Sequence, residues 1–483
     1  MDIVASALRH VGFGFQVAET QPLACRWRAK LKTAIKILDP VDFGDQCKEG
    51  ALYEKITRRL MPLLFISYLF AFLDRINVGY AQLQMKPMLG FSDSVYGLGA
   101  GLFFVSYILF EIPSNIWMER IGIRFTLGRI MVLWGLTSAG TMFVRTPAQF
   151  YAARFLLGLF EAGFFPGIIL YLTYWFPAKR RGRVTTLFML AIPVAGMVGG
   201  PLSGWIMSAF DMKHNLAGWQ WMLLLEGLPA SILGIICFFY LADSPSKASW
   251  LNDSEQALIS LALVRPGEAS KDEPYPLPPV EAFRTGLALL RDRQVWGLAF
   301  VYFTIACANY MYTFWLPTIL KAAGLHSIAK IGWYSAIPYC FGTAGALLIG
   351  RSSDFRSERR WHVASSLVVA ALALGGTTTV RSSLLLVFLL SLAAFFLYGA
   401  GLLFWALPPT YLKRETAPTG IAIVSSIGVT GGFISPVLLG SIKTHTGQLH
   451  IGILFICLLM MTGAIAVVLA VPREIDHDAI SLV

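Results

Sequence analysis

Twelve largely apolar runs, separated by shorter polar gaps, divide the chain. A hydrocarbon core of ~30 Å takes about 20 residues of helix to cross, and unpaired backbone groups are not tolerated there, so runs of this length predict membrane-spanning helices. In the first half they fall at 60–81, 95–117, 122–143, 148–171, 186–208 and 219–241. A polar stretch from Ser244 to Arg293 follows, rich in Pro, Ser and charge and containing PYPLPP at 274–279, which is linker composition. Six more runs follow at 294–316, 330–350, 362–380, 383–405, 420–441 and 449–471. The expected architecture is an all-α membrane protein with a cytoplasmic extension over 1–55, a six-helix bundle over 56–243, a cytoplasmic linker over 244–293, a second six-helix bundle over 294–472 and a cytoplasmic tail over 473–483.

Basic residues of short loops stay on the cytoplasmic side of a membrane. With a cytoplasmic amino terminus, the inner short loops hold Arg120, Arg124, Lys179, Arg180, Arg181, Arg183, Arg351, Arg356, Arg359, Arg360, Lys413 and Arg414. The opposite loops hold fewer: Lys86, Arg145, Lys213, Lys321, Lys330, Arg381 and Lys443. Both termini are therefore expected in the cytoplasm. The two halves also repeat a local pattern, NIWMERIGIR at 115–124 after the second run and GRSSDFRSERR at 350–360 after the eighth. Each places a carboxylate, Glu119 or Asp354, at a helix end before a group of arginines. Such a repeat suits a gate in which Glu119, Arg120, Arg124, Asp354 and Arg356 pair with neighbouring helix ends to hold one conformation closed. Positive-inside charge with a capping acid explains the same residues more simply.

Composition agrees with lipid: 56% of the residues are hydrophobic and 14% charged, against roughly a quarter charged in a soluble domain. The net charge of +11 belongs to the loops and indicates no nucleic-acid partner. Six scattered cysteines form no CxxC pair, and the seven histidines fall in tails, loops or helix ends, so neither a metal nor a haem site is indicated. A phosphate-binding GxxxxGK[ST] loop is absent, which removes direct drive by ATP. No nucleophile with its base appears within the bundle, so an enzyme is not expected, and neither is a cofactor.

A charge at mid-bilayer costs at least ~2.5–3.5 kcal/mol on insertion scales and needs a reason. Asp74 and Arg75 lie in the first run, Arg154 and Glu161 in the fourth, and Glu226 in the sixth, whereas the second half keeps its charges at helix ends. Arg154 and Glu161 are seven residues apart, hence on nearly one helix face. Counted from the cytoplasmic ends, Glu161, Asp74 and Arg154 lie about 15, 21 and 25 Å deep. Glu226, near the outer end of its helix, and Glu111, near the cytoplasmic end of the second, read as ties between helices. In the seventh run Tyr302, Asn309 and Thr313 form a polar stripe that suits either substrate hydroxyls or interhelical hydrogen bonds.

FLDRINVGYAQLQM (72–85), YGLGAGLFFVSYILFEIPSNIWMERIGIR (96–124), RFLLGLFEAGFFPGIILYLTYWFP (154–177), GWQWMLLLEGLPA (218–230) and SERRWHVA (357–364) together resemble the major facilitator superfamily. Within it the match is to the anion:cation symporter family and its tartrate-transporter-like branch, over roughly 55–472. The resemblance implies that the first and fourth helices face one cavity, that Arg75 engages a substrate carboxylate, that Asp74 and Glu161 accept protons and that Arg154 balances Glu161. It also places Tyr107 and Trp405 where relatives hold substrate-contacting aromatics. Relatives with an NSxGNxxGFxxP segment carry an asparagine pair where this chain has Ser425 and Val429, and Ile192 is apolar where some sugar-acid carriers are polar. These departures favour a shorter or less hydroxylated anion.

The expectation is a monomeric, proton-coupled importer of a small organic anion, a hydroxy-carboxylate such as tartrate or a sugar acid, in a bacterial plasma membrane. A proton-driven exporter, a facilitator of another anion such as an aromatic acid, and a non-transporting sensor on the same scaffold are the alternatives.

Overall fold

A computed structural model of the chain describes residues 43–264, 288–356, 358–412 and 417–470. The expected extension up to residue 42, the linker core at 265–287 and the tail beyond 470 lie outside the described residues, as do Lys413 and Arg414. Packing divides the chain into two units, Met1–Arg58 and Arg59–Val483, and the second holds all twelve apolar runs.

Twelve helices occupy those runs. Helix 1 is Phe43–Leu89, helix 2 Asp93–Ile121 and helix 3 Ile123–Gly140. Helix 4 is Pro147–Glu161 continued by Phe164–Trp175, helix 5 is Ala178–Met189 continued by Ala191–Ala209, and helix 6 is Gly218–Tyr240. The second half holds helix 7 (Arg293–Ala322), helix 8 (Ile328–Arg356), helix 9 (Arg360–Gly376) and helix 10 (Ser383–Phe404). Helix 11 is Ala417–Val429 continued by Gly431–Thr446, and helix 12 is Leu449–Ala470. Among the described residues nine stretches are long and apolar enough to cross a membrane by length and composition. Helices 3, 8 and 9 fall outside that set. Helix 3 carries Arg124 and Arg129, the uncharged middle of helix 8 is diluted by Gly, Ser, Tyr and Pro, and helix 9 has only 17 residues. Helix 1 starts well before the apolar run at residue 60, and the expected linker contains a helix, Asp253–Val264. Asn252 starts the latter: its side chain accepts from the Glu255 amide at 2.8 Å while Glu255 bonds back to the Asn252 amide at 3.0 Å, a reciprocal cap that local sequence alone supplies.

The two halves repeat one packing scheme. Helices 3 and 6 lie together, as do 2 and 4; helices 9 and 12, and 8 and 10, do the same in the second half. The halves meet where helix 2 lies along the second part of helix 11 and helix 8 along the second part of helix 5. These seams depend on glycine. A Cβ on Gly332 would stand 2.3 Å from the Gly200 carbonyl oxygen, and one on Gly97 2.3 Å from that of Pro436, so the backbones touch as small residues allow in membranes. Hydrogen bonds between the halves gather at the same end. Gln82 Nε2 and Tyr96 Oη both donate to the Phe314 carbonyl, at 2.6 and 2.9 Å, and the Ser94 amide donates to Thr444 Oγ1 at 2.8 Å. The bundle is thus sealed at the end where helices 1 and 7 finish and helices 2 and 8 begin.

Candidate substrate cavity

Helix 4 breaks directly after Glu161. Gly163 there adopts φ +87°, and a Cβ on it would meet Ser114 Oγ at 2.4 Å, so both conformation and space require glycine. Glu161 ends the first segment almost wholly buried, and Arg75 of helix 1 reaches it: Nε and Nη2 both donate to Oε1, at 2.8 and 2.5 Å. The other oxygen, Oε2, is buried without a hydrogen-bond partner. The guanidinium of Arg75 is flanked by the rings of Phe72, Phe103 and Tyr107, with centroids 5.1, 5.3 and 5.2 Å away, and Tyr68 and Tyr310 lie within its electrostatic reach. An aromatic collar therefore surrounds one cation held by a single carboxylate oxygen. Such a cation can exchange its carboxylate for another anion at modest net cost, because the incoming group restores the charge-assisted hydrogen bonds.

Asp74, adjacent in sequence, points elsewhere. It is fully buried against helix 3, where Trp134 Nε1 and Ser138 Oγ donate to it at 2.8 and 2.6 Å, and Asn77 Nδ2 adds a third bond at 3.2 Å. Among the described residues no guanidinium bonds it, so the four charges do not form one closed cluster. Arg154 is not hydrogen-bonded to Glu161 either. Arg75 holds that position, and Arg154 lies buried over the Phe103 ring, 5.2 Å from its centroid, with Nε and Nη2 unpartnered. Seven residues of helix separate Arg154 from Glu161 by ~10 Å along the axis, and the Arg154 side chain turns to Phe103 rather than down to the carboxylate. Glu226 accepts from Ser203 Oγ at 2.7 Å and so links helices 5 and 6.

In the second half Tyr302, Asn309 and Ser425 are partly exposed within helices 7 and 11 and Trp405 is partly exposed just after helix 10; Tyr302 lies within electrostatic reach of Arg75. Tyr302 packs on Trp405 at 4.6 Å and stacks on Phe404 at 5.4 Å. Asn309 Oδ1 is buried without a partner, and Thr313 Oγ1 donates to the Asn309 carbonyl at 3.1 Å. Of the expected gating residues, Arg120, Arg124, Asp354 and Arg356 are exposed at the unsealed end. These four form no ion pair with one another. The Glu119 side chain lies outside the described set. Asp243 Oδ1 accepts from the Arg124 amide of this loop at 3.0 Å.

Residues 64–436 match the Major Facilitator Superfamily. The chain belongs to that superfamily. NicT, a candidate metabolite transport protein of Pseudomonas putida, is 43% identical over 421 residues, covering 87% of this chain and 93% of its own. A candidate tartrate transporter of Agrobacterium vitis is 41% identical over 417 residues, with 86% and 94% covered. Among solved structures, a bacterial homologue of the human lysosomal transporter Spinster superposes with a TM-score of 0.66 at 16% identity, over 85% of this chain and 94% of that one; at such identity the likeness speaks for the fold. This member of the superfamily is a multi-pass membrane transporter and not an enzyme.

Several residues of the transporter's cavity carry weaker signals in the sequence. Tyr68 precedes Arg75 by seven positions, the spacing of one helix face, and that periodicity was a usable signal. Trp134 and Ser138, four apart on helix 3, likewise mark one polar stripe. Tyr310 had no such signal: its place beside Arg75 depends on how helix 7 crosses helix 1.

Proposed function

We propose that the transporter carries a small organic anion, a hydroxy-carboxylate such as tartrate or a sugar acid, together with a proton into the cell across a bacterial plasma membrane. The observation that carries this reading is the Arg75–Glu161 pair, two groups from different helices deep in the bundle, joined through one carboxylate oxygen and ringed by aromatics. An arriving carboxylate takes Arg75, and Glu161, losing its cation in a low-dielectric site, takes a proton. The charge of the cavity is then the same with and without cargo. Asp74, with three hydrogen-bond donors and no bonded cation, is the second proton-carrying group. Tyr107, Arg154, Tyr302, Asn309, Trp405 and Ser425 contribute the remaining substrate contacts, and the arginine-rich loops around Glu119 and Asp354 form the gate at the unsealed end. With both termini cytoplasmic, that end faces the cytoplasm and the conformation described is sealed to the outside. A single chain contains the whole cavity and acts as a monomer.

An aromatic acid is the second reading. The collar of Phe72, Phe103, Tyr107 and Tyr310, and the few hydroxyl-binding partners from helix 11, favour it. Thermal-shift measurements on the purified protein with tartrate, malate, aldonates, uronates and aromatic acids separate the two. One class is expected to stabilise the parent and not Arg75→Ala; equal stabilisation of both proteins removes Arg75 as the carboxylate anchor.

A further inference from the structure

At the sealed end two lysines share one aspartate, with a third lysine near the first. Lys86, in the last turn of helix 1, bonds Asp93 Oδ1 at the start of helix 2, and Lys443 of helix 11 reaches the same oxygen at 3.3 Å. Lys321, in the last turn of helix 7, lies within electrostatic reach of Lys86 and donates through Nζ to the Leu83 carbonyl at 3.3 Å. Aromatic faces complete the cluster: Lys86 Nζ is 5.8 Å from the rings of both Tyr96 and Trp315, and Lys443 Nζ is 5.8 Å from Trp315. The side chains of Lys86, Asp93 and Lys443 are only 15%, 19% and 23% exposed. Among the described residues, two confined lysines share the one carboxylate of Asp93, and exposed Lys321 adds a further positive charge beside them.

A latch needs no such surplus. One lysine per carboxylate would tie the halves as well, and like charges this close repel. We propose that the cluster is an outer docking site for the carboxylate of the arriving anion, occupied by Asp93 while this end is sealed. Lys86, Asp93 and Tyr96 belong to the first half; Lys321, Lys443 and Trp315 belong to the second. When the halves part, Lys86 keeps Asp93, and Lys321 and Lys443 are left at the mouth without a counter-ion, beside the face of Trp315, buried here, that the opening uncovers. A small carboxylate is drawn to that pair before it reaches Arg75. The surplus charge draws anions by long-range attraction, and Asp93 takes back Lys443 when the end closes again. This inference rests on the reading of the cargo as an anion and is independent of proton coupling.

The test uses the full chain in proteoliposomes, with cysteine introduced as Thr444→Cys in a background lacking Cys25, Cys47 and Cys340. The probes are anionic sulfonatoethyl methanethiosulfonate and cationic trimethylammonioethyl methanethiosulfonate, and the ratio of their labelling rates reads the local potential without any need to know the cargo. Lys321→Gln together with Lys443→Gln is expected to lower the anionic-to-cationic ratio roughly tenfold at low salt, and Asp93→Asn to raise it; Lys→Arg at both positions, which controls for folding, restores the parent ratio. In the same vesicles the double Gln variant should raise the KM for tartrate uptake and flatten its dependence on ionic strength. A labelling ratio that ignores both lysines overturns the docking site. A ratio that responds in a parent that takes up no tartrate leaves the docking site standing and removes tartrate as the cargo.

Discussion

Replacing Glu161 by glutamine isolates the exchange on which the proposed cycle depends. In the parent, a substrate carboxylate must displace Glu161 Oε1 from two nitrogens of Arg75, at 2.8 and 2.5 Å. Hydrogen bonds to charged groups contribute about 1.5–3 kcal/mol each, and two unit charges at 4 Å attract by ~4 kcal/mol at an effective dielectric constant of 20. Glutamine keeps an oxygen for Arg75 but removes the competing charge. The gain in anion affinity should therefore be a fraction of that Coulomb energy, about 1.4–2.8 kcal/mol or 10- to 100-fold. Affinity in the parent should also weaken as pH rises, because ionised Glu161 competes with the anion, while Glu161→Gln binds independently of pH. Equilibrium binding of whichever anion stabilises the parent, measured from pH 5 to 8 in detergent, reads both effects. Accumulation driven by a pH gradient should vanish in the same variant while exchange persists. Unchanged or weaker binding in a variant that keeps the parent's thermal midpoint would refute the exchange between cargo and Glu161.

Gly332→Ala places a Cβ 2.3 Å from the Gly200 carbonyl oxygen, and backbone cannot yield cheaply, so overpacking of ~1–3 kcal/mol should push the population toward opening at the sealed end; faster thiol labelling of Ser94→Cys reports it. Asp74→Asn turns one acceptor oxygen into an NH2 donor, so the remaining oxygen serves either Trp134 or the Ser138 and Asn77 pair and not both; it should abolish pH-driven accumulation and lower stability by about 1–3 kcal/mol, whereas intact accumulation removes Asp74 from the proton pathway. Outside the spans, Tyr411 Oη donates to Asp292 Oδ2 at 2.7 Å, and burial with the nearby carboxylate pushes the phenol up to about 12. A raised acid stabilises the fold below its ordinary value and loses that contribution as pH climbs, so the thermal midpoint of the parent should fall more steeply than that of Tyr411→Phe between pH 10 and 12.

Much of this molecule was legible before any coordinates. A span must be long, apolar and helical because hydrocarbon offers the backbone no partner, so twelve runs in the sequence were already twelve helices, and the rarity of charge within them singled out Asp74, Arg75, Arg154, Glu161 and Glu226. The spacing of those residues along each helix also followed from helical geometry alone. Lateral partners did not. Arg75 and Asp74 are neighbours in sequence, about 100° apart around helix 1, and the packing of helices 3 and 4 on either side sends one to Glu161 and the other to Trp134 and Ser138. Arg154 shares a face with Glu161 about two turns away, yet the carboxylate is held by Arg75 from another helix. The lysines at the sealed end looked like scattered loop charges, because Lys86, Lys321 and Lys443 are far apart in sequence and meet only when the two halves close. Hydropathy is a property of each segment read alone, whereas an ion pair between helices depends on rotation, depth and approach, which only the assembled bundle sets.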